Sequence, residues 1–198
     1  MSSVAIIDNG GANIASLRYA LERLGADAQL TADPAVLKTA PRVILPGVGA
    51  AAAAMQRLES LGLVQVIRSL RQPMLGICLG MQLLFDTSEE GDTACLGLLS
   101  GRVERIADRD AYPVPHMGWN QLEFGSPDPL LKGIARGDHV YFVHSYAAPV
   151  GPWTIATADY GGSFSAVVRQ DNFVGMQFHP ERSGATGARL LANFLEIA

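Results

Sequence analysis

The spacing of apolar residues changes regularly along the first 85 positions. Residues 4–8, 43–45 and 73–77 form short, mostly apolar runs beside turn signals, which are typical of buried strands. Between and after these runs, apolar residues recur at the spacing of one helix face. The positions that set this spacing are Ile14, Leu17, Leu21 and Leu24, then Met55, Leu58 and Leu61 on a stretch continuing toward Leu70, then residues 79–85. Strands alternating with helices predict a parallel sheet with helices on both faces.

The middle of the chain has a different pattern. Glycines and prolines separate short strand-like pieces at residues 102–106, 121–124, 140–144, 154–158 and 165–169. Such punctuation is typical of hairpins. Residues 173–178 predict a further strand and residues 184–197 a closing helix. We therefore expect an α/β fold: an open, mostly parallel sheet with helices on both faces plus an antiparallel β extension.

Length and composition favour a single domain. The chain has 198 residues, of which 48% are apolar. A domain of this size buries roughly 70% of the surface that its unfolded chain exposes. We expect residues 1–198 to form one domain whose core needs no disulfide, metal or cofactor.

Charge and hydropathy exclude two classes of partner. The formal net charge is -4 and the basic residues are scattered, whereas a nucleic-acid surface needs clustered Lys and Arg. No run approaches the ~20 apolar residues that span a bilayer. The first residues also lack the charged start of a signal peptide. We expect a cytoplasmic protein that binds neither nucleic acid nor membrane.

One of the two cysteines lies in a distinctive setting. Gly76, Cys78 and Gly80 form a Gly-x-Cys-x-Gly pattern between a predicted strand and a predicted helix, which is the cysteine form of the nucleophile elbow. The sharp turn requires glycine two residues before and after the nucleophile. It also aims the backbone N–H of Leu79 at a developing oxyanion, an interaction worth about 3 kcal/mol. A buried core cysteine is the alternative, and it is our interpretation of Cys95.

A thiol nucleophile needs a base, and the base needs an orienting group. Since Pro180 favours an extended His179, the side chains of His179 and Glu181 are expected to face the same way. The pair follows a predicted strand, and open α/β sheets build their sites at strand ends. The other histidines receive structural or interface roles by default: His116, His139 and His144.

The elbow at residues 76–82, the glycine-rich stretch at 46–49 and the distal residues 179–181 resemble the class I, or triad-type, glutamine amidotransferases over essentially the whole chain. The resemblance implies that Cys78 attacks the side-chain carbonyl of glutamine to form a thioester. It implies that His179 moves protons and that Glu181 orients it. The remaining implied roles are an oxyanion hole from Val48 and Leu79 and substrate contacts from Gly47, Gly49, Gln82, Ser145 and Tyr146.

Residues 115–120 and 141–146 are similar to signatures of the glutaminase subunits of imidazole glycerol phosphate synthase. This resemblance implies a heterodimer with a (β/α)8-barrel cyclase subunit, which would receive the ammonia. No phosphate-binding Gly-rich motif lies in this chain, so the acceptor chemistry is expected on that partner. The expected interface residues are Asn13, Trp119, Asn120, Tyr141 and Arg182.

Two other enzymes use similar features. The glutaminase subunit of pyridoxal 5'-phosphate synthase is also small, but it typically has Ala and Gly after the cysteine, where this chain has Leu79 and Gly80. Cysteine-type α/β-hydrolases share the elbow, but their acid precedes the histidine, whereas Glu181 follows His179. A non-catalytic flavodoxin-like module would explain the sheet but not the elbow together with the His/Glu pair.

Overall fold

The protein is described by a computed structural model that covers residues 3–10 and 14–197. Its strands are β1 (Ser3–Ile7), β2 (Asp27–Thr31), β3 (Val43–Gly47), β4 (Met74–Cys78), β5 (Phe85–Ser88), β6 (Thr93–Ala94), β7 (Leu99–Arg105), β8 (His116–Gln121), β9 (His139–His144), β10 (Tyr146–Ala147), β11 (Thr154–Asp159), β12 (Ser163–Gln170) and β13 (Phe173–Met176). Its α-helices are α1 (Ile14–Arg23), α2 (Pro34–Thr39), α3 (Ala51–Ser60), α4 (Leu63–Ser69), α5 (Leu79–Gln82) and α6 (Gly184–Glu196).

Seven strands form the main sheet in the order β11-β12-β13-β4-β3-β1-β2. The five strands from β13 to β2 run parallel, while β12 and β11 extend one edge in antiparallel pairing. This arrangement confirms the predicted open, mostly parallel sheet with an antiparallel extension. The parallel strands β3, β4 and β13 are neighbours, so their carboxyl ends meet at one edge of the sheet, where such folds build their sites.

Helices cover both faces of this sheet. On one face α1 and α6 bury Leu17, Leu21, Leu191 and Phe194 in one core cluster. On the other face α3 and α4 bury Leu58 and other apolar side chains in a second cluster. Within the described ranges, no helix combines the length and apolar character needed to cross a membrane.

Two small sheets lie beside the main one. One has the order β10-β7-β5-β6, and the other is an antiparallel ribbon of β8 and β9. Because side chains alternate across a strand, the ribbon has two different faces. The inner face carries His116, Gly118 and Asn120 opposite buried positions of β9, and the outer face carries Trp119 opposite Tyr141.

Several predicted elements need correction. The helix predicted at residues 79–85 ends at Gln82, and Phe85 already belongs to β5. The helix predicted from Met55 toward Leu70 is two helices, which are separated at Gly62, where φ is 67°. Only glycine adopts such a left-handed conformation readily, so the chain turns there.

The sequence pattern also missed or misplaced elements. The strand predicted at residues 121–124 lies instead at His116–Gln121. The prediction was misplaced because the inner face of this strand is polar and shows no apolar alternation. Strand β2 and helix α2 were not predicted. Strand β2 is a half-exposed edge strand, and therefore lacks the continuous apolar run that marks the inner strands.

Candidate active site

Cys78 is the last residue of β4 and immediately precedes α5. Its backbone has φ 54° and ψ -114°, a conformation that costs of order 1–3 kcal/mol and persists only when packing enforces it. The elbow glycines allow that close packing, because neighbouring backbone occupies the space that their side chains would need. A β-carbon on Gly80 would overlap the carbonyl oxygen of Leu45, and one on Gly76 would overlap the carbonyl oxygen of Gly80. The strained turn places the cysteine at the carboxyl edge of the sheet.

His179 follows β13, the parallel neighbour of β4, and is therefore beside Cys78 at the same edge. Its Nδ1 lies 2.9 Å from Oε1 of Glu181. The predicted pairing of these side chains is present, but the chain between them is not extended. His179 has extended dihedral angles, whereas Pro180–Arg182 form a 3-10 turn, because the fixed φ of proline suits the start of a helical turn.

Ser183 holds this turn in place. Its buried hydroxyl donates to the His179 carbonyl at 2.7 Å and accepts from the backbone N–H of Tyr141 at 2.9 Å. The His179 N–H in turn donates to the Tyr141 carbonyl at 3.0 Å. Strand β9 and the His179 turn are thus fixed to each other. Sequence reasoning did not single out Ser183, since a serine after a turn carries no specific signal.

The environment of His179 favours its charged form. Burial alone lowers the pKa of the imidazole, but hydrogen bonds to Cys78 and Glu181, and the charges of both, outweigh burial and raise the pKa to about 10. Only 7% of the His179 side chain and 3% of the Glu181 side chain are exposed, so solvent screens this interaction weakly. An imidazolium next to the sulfur stabilises the thiolate, and the thiolate is the reactive form of a thiol nucleophile.

A cavity of about 310 Å³ opens above the sulfur. It is lined by Val48, Gly49, Cys78, Leu79, Gln82, Glu90, Pro115, Val143, His144, Ser145, Tyr146 and His179. This set contains eight of the ten residues predicted to act in catalysis, the oxyanion hole or substrate contact, and the two that are absent are Gly47 and Glu181. Glu181 lies behind the imidazole, and Gly47 pairs with Cys78 in the sheet.

The loop after β3 forms one wall of this cavity. A β-carbon on Gly47 would crowd the backbone N of Gly80, so the close approach of β3 to the elbow requires glycine there. Val48 is 37% exposed, and Gly49 has φ 91°. The start of α3 follows directly, and its Ala51 N–H donates to Glu90 Oε2 at 2.7 Å. Glu90 therefore anchors the loop and also lines the cavity.

Gln82 lies one turn beyond Cys78 but is tied to the protein. Its side-chain amide donates to the Tyr146 carbonyl at 2.8 Å and to Gln177 Oε1 at 3.0 Å. Gln177 is fully buried, and its own amide nitrogen lies 4.0 Å from the Cys78 sulfur. The Cys78 sulfur also lies 3.9 Å from the carbonyl oxygen of Val143. Gln177 was missed from the sequence, because nothing in a residue that follows β13, 99 positions from Cys78, indicates this contact.

The predicted interface residues do not all lie on one face. Trp119 and Tyr141 face outward from the ribbon with ring centroids 5.9 Å apart, and the Arg182 guanidinium lies 4.7 Å from the Tyr141 ring centroid. The Asn120 side chain is on the inner face, where it donates to the carbonyl of Asp159 at 2.7 Å. The fifth predicted residue, Asn13, lies outside the described residues.

No group of three or more His, Cys, Asp or Glu side chains in the described part of the chain is arranged to hold a metal ion. Cys95 is buried away from the cavity, and burial, together with the charge of Glu90, raises the pKa of its thiol to about 11. A thiol with a raised pKa is a poor nucleophile. Of the two thiols, Cys78 is therefore the candidate nucleophile.

Comparison with known proteins gives the family. Residues 5–198 match the sequence profile of the family described as Glutamine amidotransferase class-I. The chain belongs to this family. Among curated relatives of this class-I amidotransferase, "Imidazole glycerol phosphate synthase subunit HisH" of Xanthomonas axonopodis pv. citri is 57% identical over 198 residues, which cover 100% of this chain and 99% of the relative. The protein of the same name from Xylella fastidiosa is 54% identical over 197 residues, with 100% and 98% covered.

Solved structures agree with the family assignment at the level of the fold. A glutamine amidotransferase crystal structure superposes with a TM-score of 0.74 at 23% identity, covering 98% of this chain and 97% of that one. PurLQS from Thermotoga maritima superposes with a TM-score of 0.73 at 20% identity, with the same coverage. At such identities the likeness shows a shared amidotransferase fold and nothing finer about the substrate.

Proposed function

We propose that this class-I amidotransferase is the glutaminase subunit of imidazole glycerol phosphate synthase. It hydrolyses glutamine to glutamate and passes the ammonia to a cyclase partner in histidine biosynthesis. The observation that carries the proposal is the strained Cys78 beside the buried His179–Glu181 pair, in a chain 54–57% identical to curated subunits of that name. The pyridoxal-synthase and α/β-hydrolase alternatives are not favoured, because neither accounts for these relatives.

Acylation begins with the sulfur of Cys78. In our proposal it attacks the side-chain amide carbon of glutamine, and the carbonyl oxygen becomes an oxyanion. The backbone N–H groups of Leu79 and Val48 are the proposed donors to that oxyanion, since both residues line the cavity next to the sulfur. The carbon–nitrogen bond then breaks, the nitrogen takes a proton from the His179 imidazolium, and ammonia leaves. A glutamyl thioester remains on Cys78.

Deacylation uses the same groups in reverse order. The imidazole of His179, now neutral, takes a proton from water as the water oxygen attacks the thioester carbon. The carbon–sulfur bond breaks, glutamate leaves, and the sulfur regains its charge beside the imidazolium. Glu181 keeps the ring in one orientation through its contact with Nδ1, so Nε2 is the nitrogen available for both proton transfers.

The amino-acid end of glutamine needs a carboxylate for its ammonium group. Glu90 is the only acidic residue among the side chains that line the described cavity, and we propose that it supplies this contact. The backbone of Ser145 and Tyr146, with Gln82, would bind the rest of the substrate. Glu90 was missed in the sequence because an acidic residue in a loop carries no local motif.

Ammonia released into neutral water is mostly protonated and no longer a nucleophile, so we propose direct transfer to a partner. The proposed docking face of the heterodimer contains Trp119, Tyr141 and Arg182. An exposed tryptophan and an arginine stacked on a tyrosine are the residue types enriched at interface hot spots. We further propose that residues 1–198 act as a single domain in the cytoplasm, and the match of one family model to residues 5–198 supports the single domain.

The test measures glutamate release by the chain and by Cys78→Ala, each alone and with the cyclase subunit loaded with its ligand. Cys95→Ala is the matched control, because it removes the other buried cysteine. We expect the partner to stimulate hydrolysis by the unmodified chain and by the control. We expect the rate of glutamate release by Cys78→Ala to be at least about 10³-fold lower. A rate of hydrolysis that does not change with this partner would contradict the pathway assignment. Hydrolysis by Cys78→Ala at the rate of the unmodified chain would contradict the assignment of Cys78 as the nucleophile.

A further inference from the structure

Two buried histidines beside the cavity take no part in the proposed reaction. His116 and His144 face each other across the β8–β9 ribbon, and His116 Nδ1 lies 2.9 Å from His144 Nε2. Their surroundings are aromatic: the His116 ring stacks on Tyr160 and Phe142, and Phe164 lies against both histidine rings. Phenylalanine would fill such a site without needing any hydrogen bond. The polar rings therefore require an explanation beyond packing.

The hydrogen-bond partners fix the tautomer of each ring. His144 Nδ1 lies 2.8 Å from the Tyr146 carbonyl oxygen, which only accepts, so Nδ1 of His144 carries a hydrogen. In the neutral ring Nε2 then accepts, so His116 Nδ1 must donate to it. His116 Nε2 is left as an acceptor, and the Asn120 side-chain amide nitrogen lies 3.4 Å away. Burial lowers the pKa of His116 to about 4 and is the largest cause that lowers that of His144 to about 3, which keeps both rings neutral at neutral pH.

This chain of hydrogen bonds ends at the substrate cavity. The Tyr146 carbonyl accepts from both His144 and Gln82, so its two lone pairs are used. Gln82 also donates to Gln177, whose amide nitrogen lies 4.0 Å from the Cys78 sulfur. His144, Tyr146 and Gln82 all line the cavity. Each buried member has a partner, and a fully satisfied buried network specifies one geometry.

We propose that His116 is a positioning residue for glutamine binding: through His144 it fixes the Tyr146 carbonyl and the Gln82 side chain at the cavity wall. The proposal rests on the glutaminase function proposed above. A structural role alone would make His116 a filler of aromatic space, which phenylalanine could replace without kinetic effect. A positioning role requires the Nδ1–H donor, and it predicts a specific change in the affinity for substrate.

Two substitutions separate these roles. His116→Phe keeps the ring that stacks on Tyr160 and Phe142 but has no donor. His116→Asn places an amide N–H near the position of Nδ1 but gives up the ring. His139→Phe is the matched control, since His139 is an exposed residue of the same ribbon. All are assayed for glutamate release with the ligand-loaded cyclase subunit present in excess.

We expect His116→Phe to raise KM for glutamine about tenfold, as the loss of one positioning hydrogen bond would, with kcat changed less than threefold. We expect His116→Asn to restore KM to within about threefold of the unmodified chain, and His139→Phe to match the unmodified chain. An unchanged KM in folded His116→Phe would overturn the proposal. The proposal would also be overturned if both His116 variants had a lower kcat, a higher KM and a lowered melting temperature.

A spectroscopic measurement on the unmodified chain covers the case in which a variant fails to fold. Nitrogen-15 NMR of the histidine rings near neutral pH distinguishes the two neutral tautomers. We expect His116 and His144 both to be neutral and protonated at Nδ1. A proton on Nε2 of either ring would overturn the proposal. This result does not depend on activity, whereas absence of glutaminase activity in the unmodified chain would count against the proposed function instead.

Discussion

The strained backbone of Cys78 and the raised pKa of His179 depend both on neighbours two positions away and on contacts with distant segments of the chain. Cys78 has φ 54° in an elbow that is packed so closely that Gly76 and Gly80 have no room for side chains. His179 lies 101 positions later, yet it meets the sulfur because β4 and β13 are parallel neighbours. The structure therefore places a strained cysteine, the proposed nucleophile, beside an imidazole whose charged form is favoured by its surroundings.

At the residue scale, Glu181→Gln tests what maintains that charge. Removing the carboxylate removes one of the causes that raise the His179 pKa to about 10. We expect the His179 pKa to fall and kcat to drop by roughly 10²–10⁴-fold, as for other triads with a neutralised orienting acid. NMR titration of the imidazole and steady-state glutamate release measure the two effects. An unchanged pKa and kcat would show that Glu181 does not tune the base.

The same substitution predicts a pH-dependent change in stability. A pKa raised from 6.5 in the unfolded chain to about 10 in the folded one contributes stability that is complete below pH 6.5 and is lost as pH rises to about 10. The difference in free energy of unfolding between the unmodified chain and Glu181→Gln should therefore shrink across this window. Urea unfolding at pH 6, 8 and 10 measures it, and a difference that grows with pH would contradict the assignment.

Sequence patterns identified the residues with local signals and missed those without them. The Gly-x-Cys-x-Gly elbow and the His179-Pro180-Glu181 tripeptide were sufficient to predict the three proposed triad residues, which the structure brings together. Gln177 and Glu90 act through contacts with distant chain segments, and a single sequence contains no record of such contacts.

At the scale of elements, Glu90 links a 3-10 turn to the start of α3. Asp33 plays a similar role at α2, where its side chain accepts from Ala35 N at 2.8 Å. Replacing either carboxylate by alanine should cost about 1 kcal/mol of stability, because each caps a helix N-terminus. Only Glu90 lines the cavity, so only Glu90→Ala should also raise KM for glutamine, by tenfold or more.

Chemical denaturation and glutaminase kinetics of Glu90→Ala and Asp33→Ala test this pair. Similar stability losses with a KM effect confined to Glu90→Ala would support its role in substrate binding. An equal KM in the two variants would reduce Glu90 to a helix cap.

The predictability of each element followed its burial. The inner strands β1, β3 and β4 are buried along almost their whole length, and each was found as an apolar run. The edge strand β2 and the polar inner face of β8 have no such run. The short helix α5 ends at Gln82, with two residues between it and β5, and the apolar residues from Leu79 to Phe85 fit a helix and a buried turn equally well.

At the scale of the whole molecule, the outer face of the ribbon is next to the active-site edge. The His179 turn is hydrogen-bonded to Tyr141 of β9, and Arg182 from that turn stacks on the Tyr141 ring. A partner bound to this face would therefore lie close to the cavity where we propose that ammonia is released. This placement supports the proposed heterodimer.

Trp119→Ala tests that docking face. Trp119 is 55% exposed, and Val150, which is not part of the β8–β9 ribbon, is 53% exposed, so Val150→Ala is a matched control. We expect Trp119→Ala to weaken binding of the cyclase subunit by about 2 kcal/mol, or roughly thirtyfold in Kd, as an interface hot spot would. Titration calorimetry measures both variants. Equal Kd values for them would remove Trp119 from the interface.

The most direct test of the central claim is chemical labelling of the nucleophile. A glutamine-shaped electrophile, the diazoketone 6-diazo-5-oxo-L-norleucine, is incubated with the cyclase-bound chain, and the modified peptide is found by mass spectrometry. Cys95, the second buried cysteine, serves as the internal control. We predict modification of Cys78 alone, slowed by added glutamine. Modification of Cys95 instead, or labelling of Cys78 that glutamine does not slow, would contradict the assignment of this cavity as a glutamine site with Cys78 as its nucleophile.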